Sequence, residues 1–236
     1  MTTGTELRHC RVCDEAALAD RGVKTMTRDV FGVRPRGLLR GRGTMDPAEL
    51  RRRWGVAMSL RAFAEFGVLG EAAEILAVGP DCDEAVRWLS QRAKWVFATD
   101  PVSEGEPPLN PRRVVVQEMA PTELRYEDGS MDALIAPAAF DRLESLGAAR
   151  AAAAEMHRVI KPGGVAAITV GLALEGSPTP PILDQAALRA VFLADDLSWA
   201  ISDPLDPRPA GSSAASREGE RVWTSVHLLL VKPLYH

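Results

Sequence analysis

The sequence predicts an α/β protein, a mostly parallel sheet with helices on both faces. Two observations predict it. Short apolar runs alternate with helical patterns from Glu74 onward, the pattern of βαβ units. The stretch EMHRVIKPGGVAAITV, Glu155–Val170, also carries an amphipathic helix into Lys-Pro-Gly-Gly and straight on into an apolar strand.

Residues 1–45 are Arg-rich, contain Gly and Pro, and show little periodicity. They read as an irregular arm with one short helix at Asp14–Asp20. Residues 46–236 read as the folded domain. Asp46-Pro47-Ala48-Glu49 is a helix start: Asp caps, Pro suits the first helical position, and Glu reaches back to the cap amide. The helix should run to about Phe66 and stop at Gly67, with Trp54, Met58, Leu60, Ala62, Phe63 and Phe66 on its apolar face. Glu74–Gly79 reads as a buried strand. Cys82–Gln91 reads as a helix with Ala85, Val86, Trp88 and Leu89 turned inward. Lys94–Thr99 is the next strand, with Asp100 at its carboxyl end.

A Pro- and Glu-rich loop, Pro101–Pro111, leads to a third strand at Arg113–Gln117. The turn Asp128-Gly129-Ser130 introduces a fourth at Met131–Ala136. Leu146–Ile160 is helical, with Leu146, Ala149, Ala153, Met156 and Ile160 on one stripe. Val165–Val170 is the fifth strand, and Asp184–Leu193 is a helix capped by Asp184. Trp199–Ser202 and Val222–Val231 are the last two strands. No helix separates them, so they should form an antiparallel hairpin at the sheet edge. Pro204–Glu220 between them is Pro-, Ser- and Gly-rich and reads as a mobile loop.

The 236 residues, 46% hydrophobic and 25% charged, suit one ordered domain with a short extension. A net charge of −4 argues against a general nucleic-acid binder. No apolar run approaches the roughly 18 residues of a membrane span, and MTTGTELRHC lacks the apolar core of a secretory signal. Three cysteines make no dense disulfide framework, so a reducing cytoplasm is the simplest setting.

From Trp54 to about Pro233 the chain resembles the class I S-adenosylmethionine (SAM)-dependent methyltransferases of the small, single-domain bacterial type. DGSMDALIA is similar to the family's DGSFD-strand segment, EMHRVIKPGGVAAITV to its EM-RVLKPGG-strand segment, and WVFATD to its second strand with a terminal acid. The resemblance implies a Rossmann-like, seven-stranded, mostly parallel sheet with an antiparallel last strand, and SAM as cofactor.

In such a sheet the ligand lies beyond the carboxyl ends of the first strands, at the topological switch point. The family's first loop is Gly-rich so that backbone approaches the methionine end of SAM. Here Gly79 is followed by Pro80, Asp81 and Cys82, with Asp81 where the family usually has Gly. Asp100, with Pro101 after it, stands where the family's acid accepts the ribose hydroxyls. The acid expected near the adenine amino group falls on Ala120; Met119 can pack on the adenine, and Glu118 is an outside candidate. Ala136 opens the segment after the fourth strand. There Asp141-Arg142 stands near the family's Glu-His pair, with no His. Asp141 is the candidate base and Arg142 a candidate for orienting an acidic acceptor.

Weaker signals remain. His9-Cys10-Arg11-Val12-Cys13 holds a CxxC, but a structural zinc site needs four ligands. Only His9 and Cys82 are available to complete one, and two ordinary thiols is the simpler reading. No metal is expected, and His157 and His227 suggest no triad. Arg34, Arg36, Arg40, Arg42 and Arg51–Arg53 form a basic cluster. It reads either as a solvated face or, if the arm folds over the pocket, as a grip on a phosphate or carboxylate. The arm is equally open to a lid role, a homodimer contact or neither.

Two functions compete. One is methyl transfer from SAM to a small-molecule acceptor, a sugar or a natural-product intermediate. The other is a methyltransferase-like binding or scaffolding protein, favoured by Asp81, Ala120 and the missing His. A third reading keeps the pocket for another ligand.

Overall fold

The computed structural model describes residues 9–32, 45–100, 110–175, 181–194, 197–201, 215–218 and 221–234. Its strands are β1 (Arg11–Val12), β2 (Gly70–Ala77), β3 (Ala93–Ala98), β4 (Val114–Val116), β5 (Met131–Ala136), β6 (Ile160–Glu175), β7 (Ile182–Leu183), β8 (Ala200–Ile201), β9 (Ser216–Glu218) and β10 (Arg221–Val231). The helices are α1 (Glu15–Ala19), α2 (Arg21–Phe31), α3 (Pro47–Glu65), α4 (Asp83–Leu89), α5 (Leu146–Val159) and α6 (Gln185–Phe192).

The sheet order along its main path is β4-β3-β2-β5-β6-β10-β1. β2, β3, β4, β5 and β6 run parallel to their neighbours, and β10 lies antiparallel to β6 over Val222–Val231. The chain steps outward from β2 to β3 to β4, then returns to β5 on the other side of β2. That reversal is the switch point at which an open α/β sheet opens a crevice.

Alternation along the strands splits the core into two layers. Leu76, Leu134 and Ile168 pack with Ala153 and Met156 of α5 and Phe192 of α6. Ile75, Ile135 and Ala167 pack on the opposite face with Leu60 and Phe63 of α3 and Val86 and Leu89 of α4. Two expected core residues point elsewhere. Leu146 and Phe66, each at a helix end, are exposed, and Phe66 turns its ring edge-on to His9 at 5.4 Å.

The outer edge of β10 is covered in pieces. β9 pairs with Arg221–Trp223, β1 with Val226 and His227, and β8 with Leu230 and Val231, all antiparallel. A long apolar strand is thus kept from presenting an open edge. The expected pairing of the last two predicted strands is present, though β8 contributes only two residues. Within residues 9–32 the arm is more ordered than its sequence suggests. Asp14 and Asp20 cap α1 and α2 by accepting from Ala17 N–H at 2.7 Å and Val23 N–H at 3.0 Å.

α3 starts at Pro47 as read, but Asp46 makes no side-chain cap bond, and Glu49 binds Arg52 and Arg53 instead of reaching back. At its other end Gly67 takes φ +67, and Val68 N–H returns to the Phe63 carbonyl at 3.2 Å, a Schellman stop. The two family-like segments lock together. Arg158 donates to the carbonyls of Leu124 and Tyr126 and to Asp128 and Glu155, while Glu155 accepts from Leu124 N–H. Asp132 accepts from Glu74 N–H and from Lys161 at 2.8 Å each. The conspicuous acids and bases of these motifs are therefore scaffold. β6 absorbs Lys161–Gly164 as an irregularity, because the β5 pairing shifts register between Met131 and Ala133. Most of the loops expected at Pro101–Pro111 and Pro204–Glu220 lie outside the described residues, as do Arg34, Arg36, Arg40 and Arg42.

Candidate functional site

The loops after β2 and β5 meet at the switch point. Val78 N–H donates to the Ile135 carbonyl at 2.9 Å. Gly79 takes φ +86, and a Cβ on it would lie 2.8 Å from Ala139 Cα. Only glycine lets these two backbones approach so closely. Gly79 N–H donates to Thr99 Oγ1 at 2.9 Å, and Thr99 Oγ1 donates to Asp100 Oδ2 at 3.0 Å. One buried hydroxyl thus ties the first loop to the acid at the end of β3. Thr99 is the residue that sequence reasoning missed; its one signal was a hydroxyl directly before the strand-terminal acid.

Pro80 is half-buried and Asp81 exposed. Asp81 has φ +65, and among the described residues no other non-glycine has positive φ. The loop therefore keeps the left-handed turn that a glycine would supply, at a strain of about 1–2 kcal/mol for most side chains and less for Asp. Cys82 is fully enclosed behind this turn. Burial pushes its thiol well up, and the negative charges of Asp100, Asp81, Asp83 and Glu84 add to the shift.

Asp100 and Arg142, read as cofactor and acceptor residues, come together: Arg142 reaches Asp100 at 3.8 Å. The Arg142 side chain is 70% exposed, so this is a loose ion pair of about 0–1 kcal/mol that a ligand can displace. Asp141 lies next to it on the loop after β5. Solvent reaches Asp141, yet the protein crowding its carboxyl pushes the pKa up to about 6, with Asp81 adding to the shift and Arg51 opposing it.

Met119 is buried at the end of the segment after β4. Its N–H donates to the Thr99 carbonyl at 3.1 Å, and its sulfur accepts from Arg125 N–H at 3.4 Å. Ala120 and Glu118 are exposed, and Ala136 is buried in the core. Pro101 lies outside the described residues.

The arginines of α3 differ from the expected solvated face. Arg51 is buried, stacks 4.1 Å above the Trp223 ring and donates to Ser216 Oγ at 2.9 Å. Arg52 bridges Glu49 and Glu84, and Arg53 binds Glu49. The histidines are structural too. Buried His227 contacts Ser59 Oγ at 3.1 Å and the His9 carbonyl at 2.6 Å. His157 lies edge-on to Trp199 at 4.8 Å. Cys10 and Cys13 are buried, and burial pushes the Cys13 thiol up to about 12. Among the described residues, no group of three or more His, Cys, Asp or Glu is placed to hold a metal ion.

Residues 76–168 match the family model described as a methyltransferase domain. They run from β2 into β6 and so contain both loops of the crevice. No curated protein matches the chain. Solved structures do. A proposed sarcosine dimethylglycine methyltransferase from Galdieria sulphuraria is 14% identical, covering 91% of this chain and 99% of its own, with a TM-score of 0.56. The cyclase SpnF is 18% identical over 93% of this chain and 94% of its own, with a TM-score of 0.51. A proposed methyltransferase from Bacillus halodurans is 12% identical over 74% of this chain and 98% of its own, also at 0.51. At these identities the likeness is one of fold. Residues 76–168 thus match a methyltransferase domain, and the chain shares the fold of these solved structures.

Proposed function

We propose that the chain transfers a methyl group from SAM to a small-molecule acceptor, a sugar or a natural-product intermediate. One observation carries this reading. The tie Gly79–Thr99–Asp100 holds the loop and the strand-end acid together, and the turn at Asp81 keeps its left-handed form despite the side chain. The residues present suit SAM. Asp100 offers carboxylate oxygens to two ribose hydroxyls. The loop Gly79–Asp81 faces the methionine end, where Asp81 attracts an ammonium. Met119 and Ala120 serve the adenine side, whereas Ala136, fully buried, supports the strand end behind the site. Bound SAM supplies a methyl group on a sulfonium, already an excellent leaving group.

The chain's own work is then positioning. Asp141, with its carboxyl poised near 6, accepts a proton from the acceptor's hydroxyl or amine. Arg142 leaves Asp100 when ribose takes that place and turns to the acceptor side. The test is incubation with SAM and a panel of hydroxylated and amino acceptors, read by mass spectrometry for added methyl. Transfer that rises with pH through about 6, and loses that rise in Asp141→Asn, supports the assignment. No methylated product from any acceptor, with SAM bound, overturns it.

The second reading is a methyltransferase-like binding or scaffolding protein. It draws on two observations: Ala120 offers no acid to an adenine, and Arg142 already sits on Asp100. Failure to bind SAM would favour it.

A further inference from the structure

A second concavity lies away from the crevice, between α2 and the start of α3. Its volume is about 360 Å³, within the range of small-molecule pockets. Leu18, Val23, Leu50 and Trp54 supply apolar wall, and none of the lining residues belongs to the crevice described above. Among the described residues, the charged side chains on its lining are Lys24, Arg28 and Arg53, and no Asp or Glu lines it. That is a marked local bias in a chain of net charge −4.

Arg53 is already bound to Glu49. Lys24 and Arg28 are different. They stand one turn apart on α2, both are exposed, and neither forms an ion pair among the described residues. A neutral apolar guest would leave this cationic pair unused, and a small inorganic anion would leave the apolar wall wet. A molecule with both features uses the whole surface. We propose that this cavity binds an organic monoanion, a carboxylate on an apolar body. The body lies against Leu18, Val23, Leu50 and Trp54, and the carboxylate accepts charge-assisted hydrogen bonds from Lys24 and Arg28.

The test is calorimetric titration of the full chain at low salt with octanoate, 1-octanol and acetate. Octanoate should bind, 1-octanol about tenfold more weakly, and acetate not detectably. The double variant Lys24→Gln/Arg28→Gln alters exposed side chains only, so it should melt like the parent. It should bind octanoate about tenfold more weakly while keeping its affinity for the alcohol. Leu50→Trp, which fills the cavity, should lose both ligands. Absence of octanoate binding by the folded parent overturns the proposal. So does equal affinity for octanoate and 1-octanol, or unchanged octanoate binding by the double variant. SAM enters none of these readouts, so the result is independent of the methyl-transfer reading.

Discussion

Gly79→Ala probes the contact on which the crevice is built. The substitution acts twice. It forces a side chain into φ +86, which costs about 1–2 kcal/mol. It also places a Cβ 2.8 Å from Ala139 Cα and 3.1 Å from Ala139 N, which are backbone atoms with no rotamer to yield. Overpacking of that kind costs about 1–3 kcal/mol, so the sum is about 2–5 kcal/mol. Gly67→Ala is the internal control. Gly67 has φ +67 but nothing within 4 Å of its added Cβ, so only the conformational part, about 1–2 kcal/mol, applies. Urea denaturation of both variants and the parent measures the difference, with a common slope as the sign that only stability has changed. Gly79→Ala should be the less stable by about 1–3 kcal/mol. Equal midpoints for the two variants would refute the close approach of the β2 and β5 loops.

Further outcomes follow from the same geometry. Thr99→Val strands the Gly79 N–H without its acceptor and should cost about 1–3 kcal/mol in urea denaturation, whereas Thr99→Ser should restore most of it. The Arg52 hydrogen bond, working against partial burial and helped by Arg53, holds the Glu49 carboxyl down to about 2. A lowered carboxyl stabilises the fold above its unfolded value near 4.5 and loses that contribution as pH falls toward 2. The deficit of Glu49→Gln relative to the parent should therefore be full at pH 7 and vanish on acidification through that window, as thermal melts at several pH values will read. Asp141 has the opposite sign. Its carboxyl is raised from 3.8 to about 6, so ionisation there opposes folding. Asp141→Asn should melt higher than the parent above pH 6, and that gain should disappear below about pH 4.

Local pattern made the scaffold legible, because the residues that specify it are neighbours in sequence. The run into Lys161-Pro162-Gly163-Gly164 announces a helix end and a strand, and Met131–Ala136 alternates between two buried layers as its apolar composition suggests. The departure at Asp81 was legible as well, and the backbone there takes the form its neighbours require. α2 was legible too: Val23, Met26 and Val30 recur at helical spacing behind the cap Asp20, a period that is diluted when residues 1–45 are taken as one Arg-rich arm. Two things were hidden for physical reasons. The pieces covering β10 are two or three residues long, too short to show a period. At the site, Thr99 with Gly79, Gly79 with Ala139, and Arg142 with Asp100 join residues 20 to 60 positions apart. Only folding makes those pairs. The arginines of α3 illustrate the same point. Their spacing suggests a basic surface, but the acids and the indole brought to them by α4 and β10 consume their charge.

Methyl transfer from SAM requires that Asp100, fixed by Thr99, grip a nucleoside ribose beside a turn that carries Asp81. Calorimetric titration of SAM into the parent and into Asp100→Asn tests it most directly. The parent should bind saturably, and the variant, still folded, should lose that binding. A folded parent that evolves no heat with SAM, or an Asp100→Asn variant that binds it as well as the parent, would contradict it.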